Sequence, residues 1–306
     1  MKPSFAIVGC GRVGSALAKY LAEAGYIPAG LASKSLSSAK RVADLTGSAS
    51  FTDTAWEVTR KADIIFITTP DGTIKETCES IAVKNGFNAG SVVLHCSAAL
   101  TSTILLPAKN CGASIGSMHP LQSFASTEYS HNPFSGIVTS VEGDKKATDT
   151  ASRVVADLGS GCVTIQTEAK ILYHASAVVA SNYLVTLLDL SLNLIRQAGV
   201  PADDAFRSLK PLIEGTLANI EKMGTRDALT GPIARGDIQT IENHLLEIGS
   251  KTPNLLPLYR ILGFYTVEIA KGKRTLSDAV LGSLKKLFLT TLSQDSTDSD
   301  DLKTGR

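Results

Sequence analysis

Two ionisable residues, Lys170 and His174, stand four positions apart in a long apolar stretch from Glu168 to Ala198 that contains no Pro or Gly. At about 100° per residue on a helix, both side chains fall on one stripe. Lys and His can transfer protons, and burial or a neighbouring charge can tune their pKa. The spacing therefore indicates proton transfer. Hydrogen bonding inside the core, or exposure in a first helical turn, fits the same pattern equally well.

Further polar residues are predicted to lie near this pair. Ser97 and His119 each follow a predicted strand, and Asn182 lies beside the Lys170 stripe. Strand ends in open α/β sheets are where ligands bind. We therefore predict that Lys170 or His174 exchanges a proton with a substrate, and that Ser97, His119 and Asn182 orient it by hydrogen bonds.

A glycine motif near the start of the chain indicates a different chemistry. The segment Gly9-Cys10-Gly11-Arg12-Val13-Gly14 has the spacing GxGxxG, between an apolar strand pattern and a helical pattern. Glycines at this spacing allow a tight turn, close approach of a pyrophosphate and close helix–strand packing. We predict that Gly9, Gly11, Arg12, Val13 and Gly14 bind a dinucleotide. The alternative is a glycine turn kept only for packing, in a domain that has lost its cofactor.

The end of the second predicted strand, Ser33-Lys34-Ser35, bears on which dinucleotide binds. NAD sites usually place an acidic residue here to hold the ribose 2′-hydroxyl. This loop has none, and its hydroxyls and cation suit a 2′-phosphate. We therefore predict NADP (NADPH) rather than NAD. The alternative is a solvated basic loop without a role in binding, which would have the same residues. The loop Thr68-Thr69-Pro70-Asp71, which follows the strand 62–67, should line the cofactor-binding crevice at the carboxyl ends of the strands.

The elements that must position these residues form two contrasting halves. Apolar segments at 4–9, 28–32, 62–67, 90–96, 113–118, 136–141 and 162–166 predict strands. After residue 167 only helical patterns follow, at 168–198, 202–222, 237–248, 253–271 and 276–292. The fold class is α/β: an N-terminal Rossmann dinucleotide-binding domain (1–166) plus an all-α C-terminal domain led by a long central helix (167–292), then a disordered tail (293–306). Because that helix is apolar nearly all round, we expect it to be buried within its domain.

Composition narrows the possible partners. The 306 residues carry a net charge of +1, and this balance lacks the excess of positive charge that is typical of nucleic-acid-binding proteins. Five scattered cysteines without a CxxC pair suggest neither disulfides nor a metal site. The first strand begins almost at the first residue, which leaves no room for a signal peptide, and charged residues interrupt the long apolar stretch. We expect a cytoplasmic protein that does not enter a membrane.

Several segments together resemble a known family. The glycine-motif domain followed by a long Lys-bearing helix is similar to the 6-phosphogluconate dehydrogenase-like superfamily. More closely, the chain resembles the Rossmann-like, DUF2520-containing proteins, a group of NADP oxidoreductases. The closer resemblance is carried by His119-Pro120-Leu121-Gln122-Ser123-Phe124, by 170–183, and by 229–232 with Arg235-Gly236-Asp237 and His244.

The resemblance implies roles for individual residues. Lys170 matches the proton-transferring Lys of the superfamily's hydroxyacid dehydrogenases, but His174 stands where they carry Asn. Apart from the resemblance, side-chain chemistry makes Arg235 the natural anchor for a substrate carboxylate or phosphate, because a guanidinium binds such groups bidentately. The alternative is an ordinary exposed Arg in a turn. Asp237 is more typical of a helix N-cap than of a catalytic acid.

The leading hypothesis is an NADP-dependent oxidoreductase that moves a hydride between the nicotinamide and a small polar carbonyl, imine or hydroxy-acid substrate bound between the domains. Alternatives are a pyrroline-5-carboxylate reductase-like or prephenate dehydrogenase-like enzyme, or an NADPH-binding regulator that catalyses nothing. We also expect a homodimer through the helical half, because long apolar helices of this kind often pack against a second copy.

Overall fold

A computed structural model describes residues 1–124, 126 and 130–289. The chain divides into two compact units, Met1–Ser181 and Asn182–Arg306. The predicted boundary after residue 166 stays a prediction. The predicted disordered tail, 293–306, lies outside the described residues.

The first unit is a sheet covered by helices on both faces. Its strands are β1 Ser4–Val8, β2 Ile27–Ala32, β3 Phe51–Thr52, β4 Ile64–Ile67, β5 Val92–His95, β6 Ser114–Pro120, β7 Val138–Gly143 and β8 Gly161–Thr164. The strand order is β3-β2-β1-β4-β5-β6-β7-β8, with parallel pairing everywhere except between β6 and β7. The carboxyl ends of β1, β2, β4, β5 and β6 therefore share one edge, and the predicted α/β Rossmann architecture is confirmed.

Six helices connect these strands: α1 Arg12–Glu23, α2 Leu36–Thr46, α3 Ala55–Thr59, α4 Asp71–Val83, α5 Leu106–Asn110 and α6 Lys145–Asp157. Alternate strand residues point to opposite faces, so each face buries its own apolar cluster. One cluster includes Phe5, Ile7 and Leu94, and the other includes Val8, Ile65 and Val93. The short strand β3 was missed by the sequence analysis, because two residues carry no detectable alternation.

The second unit is helical, with no strand among its described residues. After the long helix come α9 Ala202–Ala228, α10 Gly231–Arg235, α11 Ile238–Lys251, α12 Leu256–Lys273 and α13 Asp278–Leu289. A small core joins α11, α12 and α13 around Ile241, Val267 and Phe288. The predicted helix 202–222 is present. Gly224 (φ +78°) has non-helical backbone and separates this helix from a second helical stretch within α9, which ends at Ala228.

The long helix spans Thr167–Gln197 but is not uniform. It comprises a 3-10 turn, α7 Lys170–Val178, a π-helical segment Val179–Tyr183 and α8 Leu184–Gln197. The expectation that it is buried within its own domain is wrong, since Leu172 is 76% exposed and Val185 66% exposed. An apolar surface without cover inside the chain costs free energy in water.

By length and composition alone, this segment is the one helix among the described residues that would be long and apolar enough to cross a membrane. Such a test is also passed by helices of soluble proteins. Within the segment, Lys170 forms an ion pair with Glu142. The expectation of no membrane partner stays a prediction.

Candidate functional site

The glycine loop between β1 and α1 is shaped for two different reasons. Gly9 has φ +108°, and a side chain there would collide with the backbone of Thr68 and Thr69 at 2.7 Å. A side chain at Gly14 would collide with the carbonyl of Gly9. At Gly11, in contrast, an added Cβ meets no atom of the chain within 4 Å. Packing therefore explains Gly9 and Gly14, whereas the missing side chain of Gly11 opens the backbone to a ligand.

The first turn of α1 has the features of an anion site. Gly11 occupies the N-cap position without a capping side chain, so the N–H groups of the first turn have no side-chain acceptor from the cap. Arg12, the first helical residue, is exposed beside them. Free N–H groups and the positive end of a helix favour a phosphate. The arrangement fits the pyrophosphate of a dinucleotide.

The end of β4 is fastened to this loop. The Thr68 hydroxyl donates a hydrogen bond of 2.6 Å to the carbonyl oxygen of Gly9. Thr69 follows with a buried hydroxyl that has no hydrogen-bond partner, and Pro70 caps the start of α4. Thr68 and Thr69, the first two residues of the predicted crevice segment, thus lie against the glycine loop, and the role of 68–71 in lining a cofactor crevice stays a prediction.

The Ser33-Lys34-Ser35 segment lies at the carboxyl end of β2, next to β1. Ser35 is the N-cap of α2, and its hydroxyl accepts a hydrogen bond from the Ser38 N–H. Lys34 is exposed. Arg41 instead donates to the Ser15 hydroxyl and the Cys10 carbonyl, and it supports the glycine loop from behind. A cation and hydroxyls therefore stand at a second helix N-terminus.

Near the same edge of the sheet, polar side chains of β5, β6 and β7 form a layer on one face. His95, Ser117 and Glu142 are register partners on β5, β6 and β7, so their side chains share one face of the sheet. Two residues further along β6, His119 points to the same face, opposite Ser140. The rows behind this layer on that face are apolar, as in Val93 and Ile115.

Lys170 enters this layer from the first turn of α7. Its side chain is completely buried, and the Nζ atom lies 3.2 Å from the Glu142 carboxylate and contacts the Ser117 hydroxyl. Burial lowers the pKa of Lys170, and the Glu142 carboxylate opposes that shift. A buried charge is retained when it is paired and hydrogen-bonded. Lys170 thus lies in this layer without exposed surface, and its predicted role in proton transfer stays a prediction.

His119 has a partner on the long helix. Its Nδ1 atom lies 3.3 Å from the Tyr173 hydroxyl, and the two rings meet edge to face at 5.8 Å. Burial, with the nearby charges of Lys170 and His174, lowers the pKa of His119 to about 4. The imidazole is therefore neutral at pH 7. When Tyr173 donates to Nδ1, the ring proton sits on Nε2.

Ser97 is occupied by contacts within the chain. Its hydroxyl donates a hydrogen bond of 2.7 Å to the Asp71 carboxylate and accepts the N–H of Leu100 at 3.0 Å. These bonds join the β5 end to the start of α4. The predicted role of Ser97 in substrate orientation stays a prediction, and its observed role is to connect two loops at the strand edge.

The remaining predicted residues lie in different surroundings. His174 is half-buried, and its buried Nδ1 atom has no hydrogen-bond partner. Asn182 belongs to the π-helical segment, where i→i+5 bonding changes the angular spacing on which its predicted position was based. Arg235 is exposed at the end of α10. Asp237 is the N-cap of α11 as predicted, and its side chain accepts the Thr240 N–H.

Sequence reasoning missed Glu142 and Tyr173. Glu142 is the one acidic residue in the strand Val138–Gly143, and a carboxylate inside a strand is almost never fully buried without a partner. Tyr173 gave no such signal, because an aromatic residue on an apolar helix is more often part of a core. Both become visible only when β6, β7 and α7 meet.

The comparisons with known proteins agree with this architecture. Residues 2–120 match the model of a Rossmann-like domain, and residues 137–266 match a domain of unknown function, DUF2520. The chain pairs a Rossmann-like domain with a DUF2520 domain. The predicted resemblance to the Rossmann-like, DUF2520-containing proteins is confirmed. Comparison with curated protein sequences gives no significant match.

Solved structures share the fold of this Rossmann-like, DUF2520-containing chain. Protein TM1727 from Thermotoga maritima is 26% identical, over 88% of this chain and 99% of that one, with a TM-score of 0.69. The "putative NADP oxidoreductase BF3122" from Bacteroides fragilis is 21% identical, over 85% and 96%, with a TM-score of 0.66. A reductive aminase from Aspergillus terreus, in complex with NADPH and ethyl-5-oxohexanoate, is 15% identical over 96% and 95%, with a TM-score of 0.60.

Proposed function

We propose that the protein is an NADP-dependent oxidoreductase acting on a small polar carbonyl, imine or hydroxy-acid substrate. The observation that carries this proposal is the open backbone at Gly11, beside a first helical turn without a side-chain cap. The reductive aminase complex with NADPH, and the name of the Bacteroides fragilis protein, support the same cofactor class.

The described residues fit NADPH at two places. The N–H groups after Gly11, with Arg12, would hold the pyrophosphate. Ser33, Lys34 and Ser35 would hold the 2′-phosphate at the N-terminus of α2, in a loop without an acidic residue. A shallow depression of about 470 Å³ lies along the same helix, lined by Ser37, Lys40, Arg41, Asp44 and Leu45. When bound, the cofactor supplies the hydride.

His119 is the residue of the polar layer best suited to the reacting oxygen or nitrogen. It is neutral, partly exposed and at the end of β6, and Tyr173 occupies its Nδ1 atom. In this proposal the Nε2–H group of the neutral ring donates a hydrogen bond to the reacting oxygen or nitrogen and stabilises the charge that develops there, while the ring keeps its proton. In this proposal the charge of the buried Lys170 acts electrostatically on His119, without contact between Lys170 and the substrate. His174 remains a predicted proton donor, and Ser97, Asn182 and Arg235 remain predicted substrate contacts.

A paired titration with NADPH and NADH tests the cofactor assignment. We expect tight NADPH binding, weak NADH binding, and a loss of about tenfold in NADPH affinity in Lys34→Ala, because one charge-assisted contact is worth about 1.5–3 kcal/mol. Lys75→Ala, an exposed lysine on α4, is the matched control. Equal affinities for both nucleotides would overturn the NADP assignment, and no binding of either would remove the oxidoreductase proposal.

Turnover then distinguishes an enzyme from a regulator. We expect NADPH oxidation with a small imine or carbonyl substrate, and a loss of about 10²–10³-fold in kcat for His119→Ala at unchanged cofactor affinity, because the hydrogen bond to the reacting atom is lost. A protein that binds NADPH tightly and turns over none of these substrate classes would be the regulator.

We further propose a cytoplasmic homodimer in which a second copy covers the exposed apolar surface of the helical half. The large apolar residues with exposed side chains include Leu172, Val179, Val185, Leu212 and Leu217. α9 has 27 residues, of which only Ala205 is buried in the chain by itself. A surface of this kind marks an interaction site.

A further inference from the structure

Glu142 supplies the carboxylate of the polar layer, and sequence reasoning gave it no role. Its side chain is 1% exposed. One oxygen accepts the Ser102 N–H at 2.8 Å, and the other accepts the Ser102 hydroxyl at 2.7 Å. These bonds come from the segment that follows β5.

The same carboxylate also holds the start of the long helix. The Thr167 hydroxyl donates to it at 2.9 Å, and Lys170 Nζ lies 3.2 Å away. Glu142 therefore connects β7 with the segment after β5 and with the first turn of the helix. The two neighbouring segments carry Ser97 on one side, and Tyr173 and His174 on the other.

The electrostatic consequence reaches His119. Burial opposes ionisation of Glu142, but the Ser102 hydrogen bond, Lys170 and Thr167 outweigh it and hold its pKa below the ordinary value. The groups that face Lys170 are Glu142, Cys96, Asp71 and the neutral His95. Glu142 is the one that contacts Nζ. A completely buried ammonium without that partner would lose its proton.

We propose that Glu142 is the positioning residue of this site: it keeps Lys170 as a buried ammonium behind His119 and fixes the first turn of the long helix, so that Tyr173 reaches the His119 ring. Burial lowers the pKa of His119, the charge of Lys170 in the same layer and His174 lower it further, and Asp71 opposes them. The inference rests on the proposed function for the role of His119. Its test requires neither cofactor nor substrate, so the two can fail separately.

The test is the titration of His119, followed by NMR of the imidazole in the full chain. In the wild type we expect a midpoint near pH 4. In Glu142→Gln and in Lys170→Met we expect it to rise by about one pH unit or more, because the adjacent positive charge is lost in both. The double variant should show the same rise and no more. Glu142→Asp, which keeps the carboxylate, should remain near the wild type.

Asp144→Asn is the matched control, because Asp144 also forms an ion pair, with Lys109 at 2.6 Å, but is not among the groups that shift His119. It should leave the His119 midpoint unchanged. A Glu142→Gln midpoint equal to that of the wild type, beside a raised midpoint in Lys170→Met, would overturn the proposal.

A measurement on the unmodified chain covers the case in which Glu142→Gln does not fold. With carboxyl-labelled glutamate, the Glu142 signal should stay at its ionised position while the ordinary glutamates titrate near their usual pKa of about 4.3. A Glu142 signal that titrates with them would contradict the buried pair and the proposal with it.

Discussion

The hydroxyl of Thr68, at the end of β4, donates a 2.6 Å hydrogen bond to the carbonyl oxygen of Gly9, at the end of β1. Two strand ends that are 59 residues apart in sequence are thereby held as one surface. The loop that receives the dinucleotide in our proposal is shaped by this bond, because Gly9 lies in a left-handed conformation that Thr68 supports.

Replacing Thr68 by Val keeps the shape of the side chain and removes this bond. We expect the free energy of unfolding to fall by about 1 kcal/mol, and NADPH affinity to fall about fivefold, because the loop is less well fixed. Thermal unfolding and calorimetric titration measure the two effects. Thr73→Val, which removes a Thr73 hydrogen bond to the Pro70 carbonyl within α4, should lower affinity much less.

Gly11→Ala and Gly14→Ala should distinguish a glycine needed for ligand binding from a glycine needed for packing. At Gly11 the backbone has φ −78° and the added Cβ is free of contacts, so we expect unchanged stability and a loss of NADPH affinity of at least about tenfold. At Gly14 the Cβ collides with the Gly9 carbonyl, so we expect a fall in stability of about 1–3 kcal/mol. Equal NADPH affinity in Gly11→Ala and the wild type would argue against a pyrophosphate there.

His95 predicts a pH dependence of stability. Burial lowers its pKa in the folded chain to about 3, whereas the unfolded chain titrates near 6.5. Below pH 6.5 the unfolded chain therefore binds more protons, and the stability contributed by His95 is lost as the pH falls toward 3. For a fully buried group this amounts to about 2 kcal/mol between pH 7 and pH 5.

Urea unfolding at these two pH values measures the loss. A His95→Asn variant that folds should show a smaller difference between pH 7 and pH 5. The exposed His131 is the control, since His131→Asn should leave the difference as it is. A wild type whose stability is equal at both pH values would contradict burial of His95 in its neutral form.

Val185→Glu should weaken the proposed homodimer. Val185 is 66% exposed on α8, and a charge placed in a dimer interface there would have to be desolvated. We expect a dimer of the wild type and a monomer of the variant in sedimentation at micromolar concentration. Val83→Glu is the control, because Val83 is 79% exposed on α4 of the first unit. A monomeric wild type would remove the proposal.

Much of the fold could be predicted from local patterns. The apolar runs around the GxGxxG segment predict the strands of the sheet, because strands buried on both faces are continuously apolar. The Asp237 cap was predictable from residue type and place alone. The helix predicted over 202–222 ends before Gly224, but no residue pattern indicated that a further helical stretch of α9 follows the kink.

The candidate site could be predicted less well. Lys170 and His119 were found by residue type, but their relation depends on β6, β7 and α7 meeting in space. Glu142 lies 28 residues from its partner Lys170, and no spacing rule links a strand residue to a helix residue at that distance. The position predicted for Asn182 assumed 100° per residue, and the π-helical segment that contains Asn182 does not have this spacing.

The sequence by itself determined the glycine loop, the basic character of Ser33-Lys34-Ser35 and the order of strands and helices, because each depends on neighbours in the chain. Only the tertiary structure decided that Lys170 is sealed in an ion pair, that Tyr173 holds His119 and that the long apolar helix is uncovered. The reason is physical: burial, pairing and pKa depend on groups brought together from distant parts of the chain, and those distances are set by packing.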